Sequence, residues 1–169
     1  MHAESMDLMS NFVVKTRRHF THTPITVLDV GSQSHEGHAT YKILFNENYA
    51  YTGLDVEPGP NVDLVTVDAY DWKLPSTYDF VISGQAFEHI NWPWLTIKEI
   101  EKAMKPGGLA AIIAPTTPLI HRYPVDCWRI LPDGWVALAK WANLEMLEVG
   151  MNNFGVWRDS FCLLRKPNA

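Results

Sequence analysis

The stretch that decides the fold is VLDVGSQSHEG, Val27 to Gly37. It opens as a buried strand, an apolar, β-branched run, and Gly31 then lets the backbone turn and approach a ligand closely. A strand running into a glycine turn is the usual entrance to a nucleotide-type cofactor site. The G-x-G-x-x-G spacing of a dinucleotide site is broken here by Gln33, Ser34, His35 and Glu36. The ligand must therefore suit an acidic strand end at Asp29, one glycine and a polar loop.

Outward from this stretch, strand and helix patterns alternate. Residues 4–20 place Met6, Met9, Val13 and Phe20 at helical spacing, which predicts an amphipathic N-terminal helix. Strands are expected over 25–30, 49–56, 62–68, 78–84 and 109–115, and helices over 37–47, 92–104 and 131–142. Residues 144–150 and 159–166 close the chain as two strands, with only MNNFGVWR between them. That is too short for a parallel crossover, so the pair should be antiparallel. The expected fold is α/β: a Rossmann-like, doubly wound, mostly parallel seven-stranded sheet with a reversed C-terminal hairpin. One domain over 1–169 is expected, with the helix of residues 1–20 as a lid over the site.

Composition narrows the function. A formal net charge of -5 and no long basic run disfavour a nucleic-acid partner. No apolar run reaches membrane-spanning length, and Cys127 and Cys162 lack metal-ligand spacing, so a soluble cytoplasmic protein with reduced thiols is expected. HEGH (His35, His38) and HTH (His19, His22) show no third ligand, so no metal site is expected.

In such a sheet, ligands bind beyond the carboxyl ends of the strands. Asp55 follows the second strand, 24 positions past Gly31, where a carboxylate can accept both hydroxyls of a ribose. This fits a nicotinamide dinucleotide or S-adenosylmethionine. A pyrophosphate needs closely spaced glycines at a helix start, and only Gly31 and Gly37 are at hand. A dinucleotide oxidoreductase usually carries a second substrate domain as well, and none is expected in these 169 residues.

In order, VLDVGSQSHEG, YTGLDV, VDAYD, YDFVISGQAFEHI and MKPGGLAAIIAP resemble the motifs of small class I S-adenosylmethionine-dependent methyltransferases, over about residues 25–115. The first motif departs from the family in carrying Gln33 and His35 where further glycines are usual. The resemblance implies S-adenosylmethionine as cofactor. It puts Gly31 near the methionine moiety, Asp55 at the ribose, Asp68 with Ala69 at the adenine, and Gln85 and Phe87 along the cofactor's near side. Asp29, Gln33 and Val56 complete that set. His89, in the EHI segment, is the candidate general base for a hydroxyl acceptor, since its imidazole titrates in the useful range; its alternative role is to fix a turn beside Glu88.

HRYPVDCWR, 121–129, is the densest cluster of functional groups and follows the fifth strand. His121, Arg122, Tyr123, Asp126 and Arg129 are candidate acceptor contacts, with Arg122 and Arg129 suited to an anionic or hydroxyl-rich molecule. The alternative is a structural clamp between Asp126 and Arg129. The acceptor pocket should be built from the N-terminal helix, residues 115–129 and 151–158, or completed by a second copy in a homodimer. The leading reading is methyl transfer to a small polar acceptor, a hydroxyl of a sugar, glycan precursor or secondary metabolite. An N-methyltransferase acting on a small amine, with Trp92, Trp94 and Tyr123 as aromatic contacts, is one alternative. A non-catalytic methyltransferase-like subunit that binds a partner protein is the other.

Overall fold

The computed structural model describes residues 2–34 and 38–168. Seven strands form one sheet: β1 (Ile25–Val30), β2 (Tyr49–Asp55), β3 (Leu64–Val65), β4 (Tyr78–Gly84), β5 (Met104–Ala114), β6 (Glu145–Met151) and β7 (Ser160–Arg165). Their order is β3-β2-β1-β4-β5-β7-β6. β1 to β5 run parallel, while β7 is antiparallel to both β5 and β6. The reversed hairpin read from the sequence is present. Strand order reverses between β1 and β4, so a crevice opens beyond their carboxyl ends, where such folds bind ligands.

Alternation along the strands sends two cores to opposite faces. Val27, Phe80, Ile82, Ala111 and Ile113 pack against Met9, Phe12 and Val13 of helix α1 (Ala3–Arg17). Leu28, Val81, Ala110 and Ile112 pack against α2 (Pro93–Ala103) and α3 (Pro132–Ala142), through Ile97, Ile100, Trp135 and Ala139. Each large apolar side chain so buried contributes about 1.5–3 kcal/mol. α1 is therefore a packed layer of the core, and His2, the residue that caps its start, lines the crevice.

Three expected elements differ. In place of a helix over 37–47 there is a 3-10 turn at Tyr41–Leu44, with extended backbone at Thr40 before it; His35 to Gly37 lie outside the described residues. The sheet face that a crossover helix would cover is already taken by α1, and Tyr41 is buried with its hydroxyl 2.5 Å from Ser5 Oγ. The strand over 62–68 shortens to Leu64–Val65, because Asp68 turns the chain by accepting the Tyr70 N–H at 2.8 Å. β5 starts at Met104, so PGG lies in an irregular stretch of strand. Tyr78 pairs with Met104 and Phe80 already with Leu109, with the intervening residues bulged and Gly107 at φ +73°.

At the amino ends of β1 and β4, Asp79 joins the strands. Its Oδ2 accepts from Thr26 N at 2.9 Å, Thr26 Oγ1 at 2.7 Å and Lys105 Nζ at 2.9 Å. Burial works to raise the Asp79 pKa, but these bonds win and hold it well below the carboxylate range. Asp79→Ala should destabilise the chain by about 2–4 kcal/mol, since it leaves the half-buried Thr26 N–H without its acceptor and unpairs Lys105. Chemical denaturation checks this, and a loss below about 0.5 kcal/mol contradicts it.

Candidate active site

Two lobes of one crevice meet at Gly31, Gln33, Gln85, His89 and Tyr123. The larger, about 780 Å³, has Asp55 and Val56 from the end of β2, Ala69, Tyr70 and Trp72 from the segment after β3, and Ile90. The smaller, about 290 Å³, has Asp29, Tyr41 and Glu88 at its base and His2, His121 and Trp157 around it.

The loop after β1 is seated by close backbone approach. Gly31 has φ +76°, and a Cβ there would lie 2.5 Å from that of Ala86, so glycine is required twice over. Ser32 Oγ donates to Asn61 O at 3.0 Å, while Asn61 Nδ2 donates to Ser32 O at 2.9 Å and to Tyr51 Oη at 2.8 Å. Asp55 accepts from Gln33 N and from Val56 N, each at 2.8 Å, one on each carboxylate oxygen. Each oxygen keeps a lone pair for a further donor. Gln85 sits at φ +60° and its Nε2 donates to Ser5 Oγ at 3.2 Å and Asp159 Oδ1 at 3.1 Å. Non-glycine residues seldom occupy that region, and the bonds to Ser5 and Asp159 help hold Gln85 there.

Asp29, 3% exposed, accepts from Tyr51 Oη at 2.5 Å. Burial pushes its carboxyl up to about 7, against the Tyr51 bond and with help from Asp55. Glu88 is fully buried, and neither carboxylate oxygen has a hydrogen-bond partner among the described residues. Burial lifts it to about 7 as well. Next to it, His89 Nδ1 donates to Val125 O at 2.6 Å, which leaves the Nε2 lone pair facing Glu88 Oε1 at 3.5 Å. Burial lowers the His89 pKa, so the ring is neutral at pH 7. His121 Nε2 lies 3.6 Å from the same Glu88 oxygen.

The segment after β5 is a clamp that delivers His121. Arg129 donates to Asp126 Oδ1 at 2.5 Å and Oδ2 at 2.8 Å, and to Thr117 O and Leu119 O. Asp126 Oδ2 also accepts His121 N–H at 2.7 Å, and Arg129 holds its carboxyl far below the usual range. Cys127 N–H donates to Glu88 O at 2.7 Å, which ties the clamp to the Glu88 backbone.

Of the residues nominated from sequence, Asp29, Gly31, Gln33, Asp55, Val56, Ala69, Gln85, His89, His121 and Tyr123 line the crevice. Five others line neither lobe. Phe87 is core, edge-on to Trp135 at 5.2 Å, because the turn at Phe87–His89 points it inward; Ala86 takes its place at the cleft. Asp68 holds its own turn. Asp126 and Arg129 face each other as the clamp. Arg122 is exposed and lines neither lobe. His19 donates to Gly107 O and His22 meets Asp79, so both sit at the far end of the strands. The metal reading considered histidines adjacent in sequence, whereas Glu88, His89 and His121 come together only in space. His2 and Trp157 also belong to the site, stacked 5.8 Å apart; segment 151–158 hinted at Trp157, and no motif pointed to His2.

Residues 28–112, half of the chain, match the family model described as a methyltransferase domain. The chain belongs to this family. The resemblance to class I S-adenosylmethionine-dependent methyltransferases drawn from its motifs is thereby borne out. Among curated proteins it is similar to 2-methyl-6-phytyl-1,4-hydroquinone methyltransferase 1, chloroplastic, of Oryza sativa subsp. japonica, 26% identical over 149 residues. That match covers 76% of this chain and 44% of the relative, so the chain spans less than half its length. Among solved structures it is similar to 1,6-didemethyltoxoflavin-N1-methyltransferase of Burkholderia thailandensis, seen with 1,6-didemethyltoxoflavin and S-adenosylhomocysteine (TM-score 0.72, 12% identity, 97% of this chain and 79% of that one). The [4+2]-cyclase SpnF is comparably similar (TM-score 0.70, 17% identity, 96% and 82%). These likenesses establish the fold, and a fold shared with a cyclase leaves the chemistry to the site.

Because the Asp29 pKa is raised on folding, its stabilising contribution is full below about pH 4 and is lost as pH rises through 7. Asp29→Asn keeps an acceptor for Tyr51 and removes the titration. Its melting temperature relative to wild type should therefore rise between pH 5 and pH 8, by an amount worth about 2.5 kcal/mol. A constant difference across that range contradicts the buried-carboxyl account.

Proposed function

We propose that the crevice binds S-adenosylmethionine, the adenosine in the larger lobe and the methionine moiety in the smaller, and passes its methyl group to a small polar acceptor. The observation that carries this is the meeting of the two lobes at Gly31, Gln85 and His89. A cofactor spanning both would present its reactive centre beside His89. The residues fit the cofactor. Asp55 has lone pairs for the two ribose hydroxyls. Leu54, Val56, Ala69 and Ile90 offer apolar contact to a purine, and the Gly31 turn admits a ligand close to the backbone. When bound, S-adenosylmethionine supplies a methyl group already activated by its sulfonium. The chain's own task is alignment, which can contribute much of the rate.

A hydroxyl acceptor, on a sugar, glycan precursor or secondary metabolite, is favoured by the state of His89. A neutral ring with its Nε2 lone pair on the cleft side serves a nucleophile that must lose a proton. The acceptor enters past His121, Tyr123 and Trp157, and His89 activates it through Nε2. The exposed guanidinium of Arg122 remains available to an acceptor that extends out of the cleft.

Asp55→Ala should raise the dissociation constant for S-adenosylmethionine at least tenfold, since each charge-assisted bond is worth about 1.5–3 kcal/mol. Because Asp55 also seats the Gln33 N–H, Asp55→Asn serves as the milder control. Calorimetry showing unchanged affinity in a folded Asp55→Ala chain would sink the cofactor placement.

Labelled-cofactor screening against hydroxyl and amine compounds should identify a hydroxyl acceptor. With it, His89→Ala should lower turnover by roughly 10²–10⁴-fold at nearly unchanged cofactor affinity. Normal turnover at saturating acceptor would leave His89 a structural role.

A further inference from the structure

We propose that Glu88, His89 and His121 form a binding site for a divalent transition-metal ion on the acceptor side of the cleft. The ligand-type atoms of the three residues lie within 4.8 Å of one another. Glu88 Oε1 is 3.5 Å from His89 Nε2 and 3.6 Å from His121 Nε2. Around a tetrahedral ion with bonds of about 2.0–2.2 Å, neighbouring ligands stand about 3.3–3.6 Å apart, so small side-chain movements close the site.

An independent observation is the state of Glu88. Its side chain is fully buried, both oxygens lack a hydrogen-bond partner among the described residues, and it is aimed into the smaller lobe. A buried carboxylate without donors is costly, and a cation is the group that compensates it best. The surroundings are those of a built site. His89 is oriented by its Nδ1–H bond to Val125 O, and His121 Nδ1 faces Asp126 Oδ2 at 3.7 Å. Metal-bound imidazoles are held from behind by such carbonyls, and a small shift of the His121 ring toward Asp126 would give it the same support. Arg129 fixes Asp126 in turn, which gives the clamp after β5 a purpose.

Two imidazoles and one carboxylate select Zn²⁺, Co²⁺, Mn²⁺ or Fe²⁺ over Mg²⁺ and Ca²⁺, and three protein ligands leave a position for an acceptor oxygen. Resting on the methyl-transfer reading above, this site refines the role of His89: with the ion bound, Nε2 holds the ion and lowers the acceptor's pKa through it, instead of taking the proton itself. An ion-bound hydroxyl releases its proton to solvent water, and its oxygen electron pair forms the bond to the methyl carbon. The electron pair of the broken C–S bond stays on sulfur, turning the sulfonium into a thioether.

The test uses the whole chain without an affinity tag, freed of metal by a chelator and titrated calorimetrically with Zn²⁺ or Co²⁺ alone. Neither cofactor nor acceptor is present, so the outcome is independent of whether the cofactor reading holds. One ion per chain is expected, and the Co²⁺ form should show visible bands of nitrogen and oxygen ligation without thiolate charge transfer. Glu88→Gln and His121→Ala should each weaken binding by about 10-fold or more. Absence of saturable binding in the wild type overturns the site. So does a thiolate spectrum, or unchanged affinity in both folded variants.

Discussion

Everything at the cleft depends on how closely the ends of β1 and β4 approach. Gly31 leaves β1 in a left-handed conformation, and the space where its Cβ would stand is taken by Ala86. Only because these loops touch do Gln85, Glu88 and His89 lie under the loop that carries Gln33 and Ser34. The same contact joins the two lobes. A larger residue at position 31 would force the loops apart and separate the Asp55 carboxylate from His89.

A second layer of constraint comes from the segment after β5. Arg129 spends its guanidinium on Asp126 and on the Thr117 and Leu119 carbonyls. Cys127 and Trp128 tie the same segment to the Glu88 carbonyl. The result is that His121, 32 positions beyond His89, stands edge-on to it at 4.9 Å. Electrostatically the base of the cleft is acidic. Asp29 and Glu88 are both buried at its base, and both have pKa values lifted to about 7. Such perturbed groups gather where a protein handles charge.

The fold was legible because its signals are local. β-Branched runs end in Gly31, Asp55 and Gly84, and the short MNNFGVWR connection forces the terminal hairpin to reverse. The missing helix before β2 was not legible, because only tertiary packing shows that α1 already covers that face. In the candidate site, the residues that follow strands were found by position: Asp29, Gly31, Asp55, Gln85 and His89. Phe87 was misplaced because the side-chain direction within a single turn follows from core packing. Asp68 has a side chain that caps its own turn as readily as it meets a ligand. Glu88 was seen only as a neighbour of His89, since burial without a partner is a property of the folded chain. His2, His121 and Trp157 converge from the N-terminal helix, the post-β5 clamp and the β6–β7 connection, and no sequence spacing records that meeting.

The most direct measurement is a crystal structure of the chain grown with S-adenosylhomocysteine. The account predicts the ribose hydroxyls on the Asp55 carboxylate, the purine between Val56 and Ile90, and the sulfur at the junction of the lobes beside His89. Density for the ligand elsewhere, or a ribose turned away from Asp55, would contradict it.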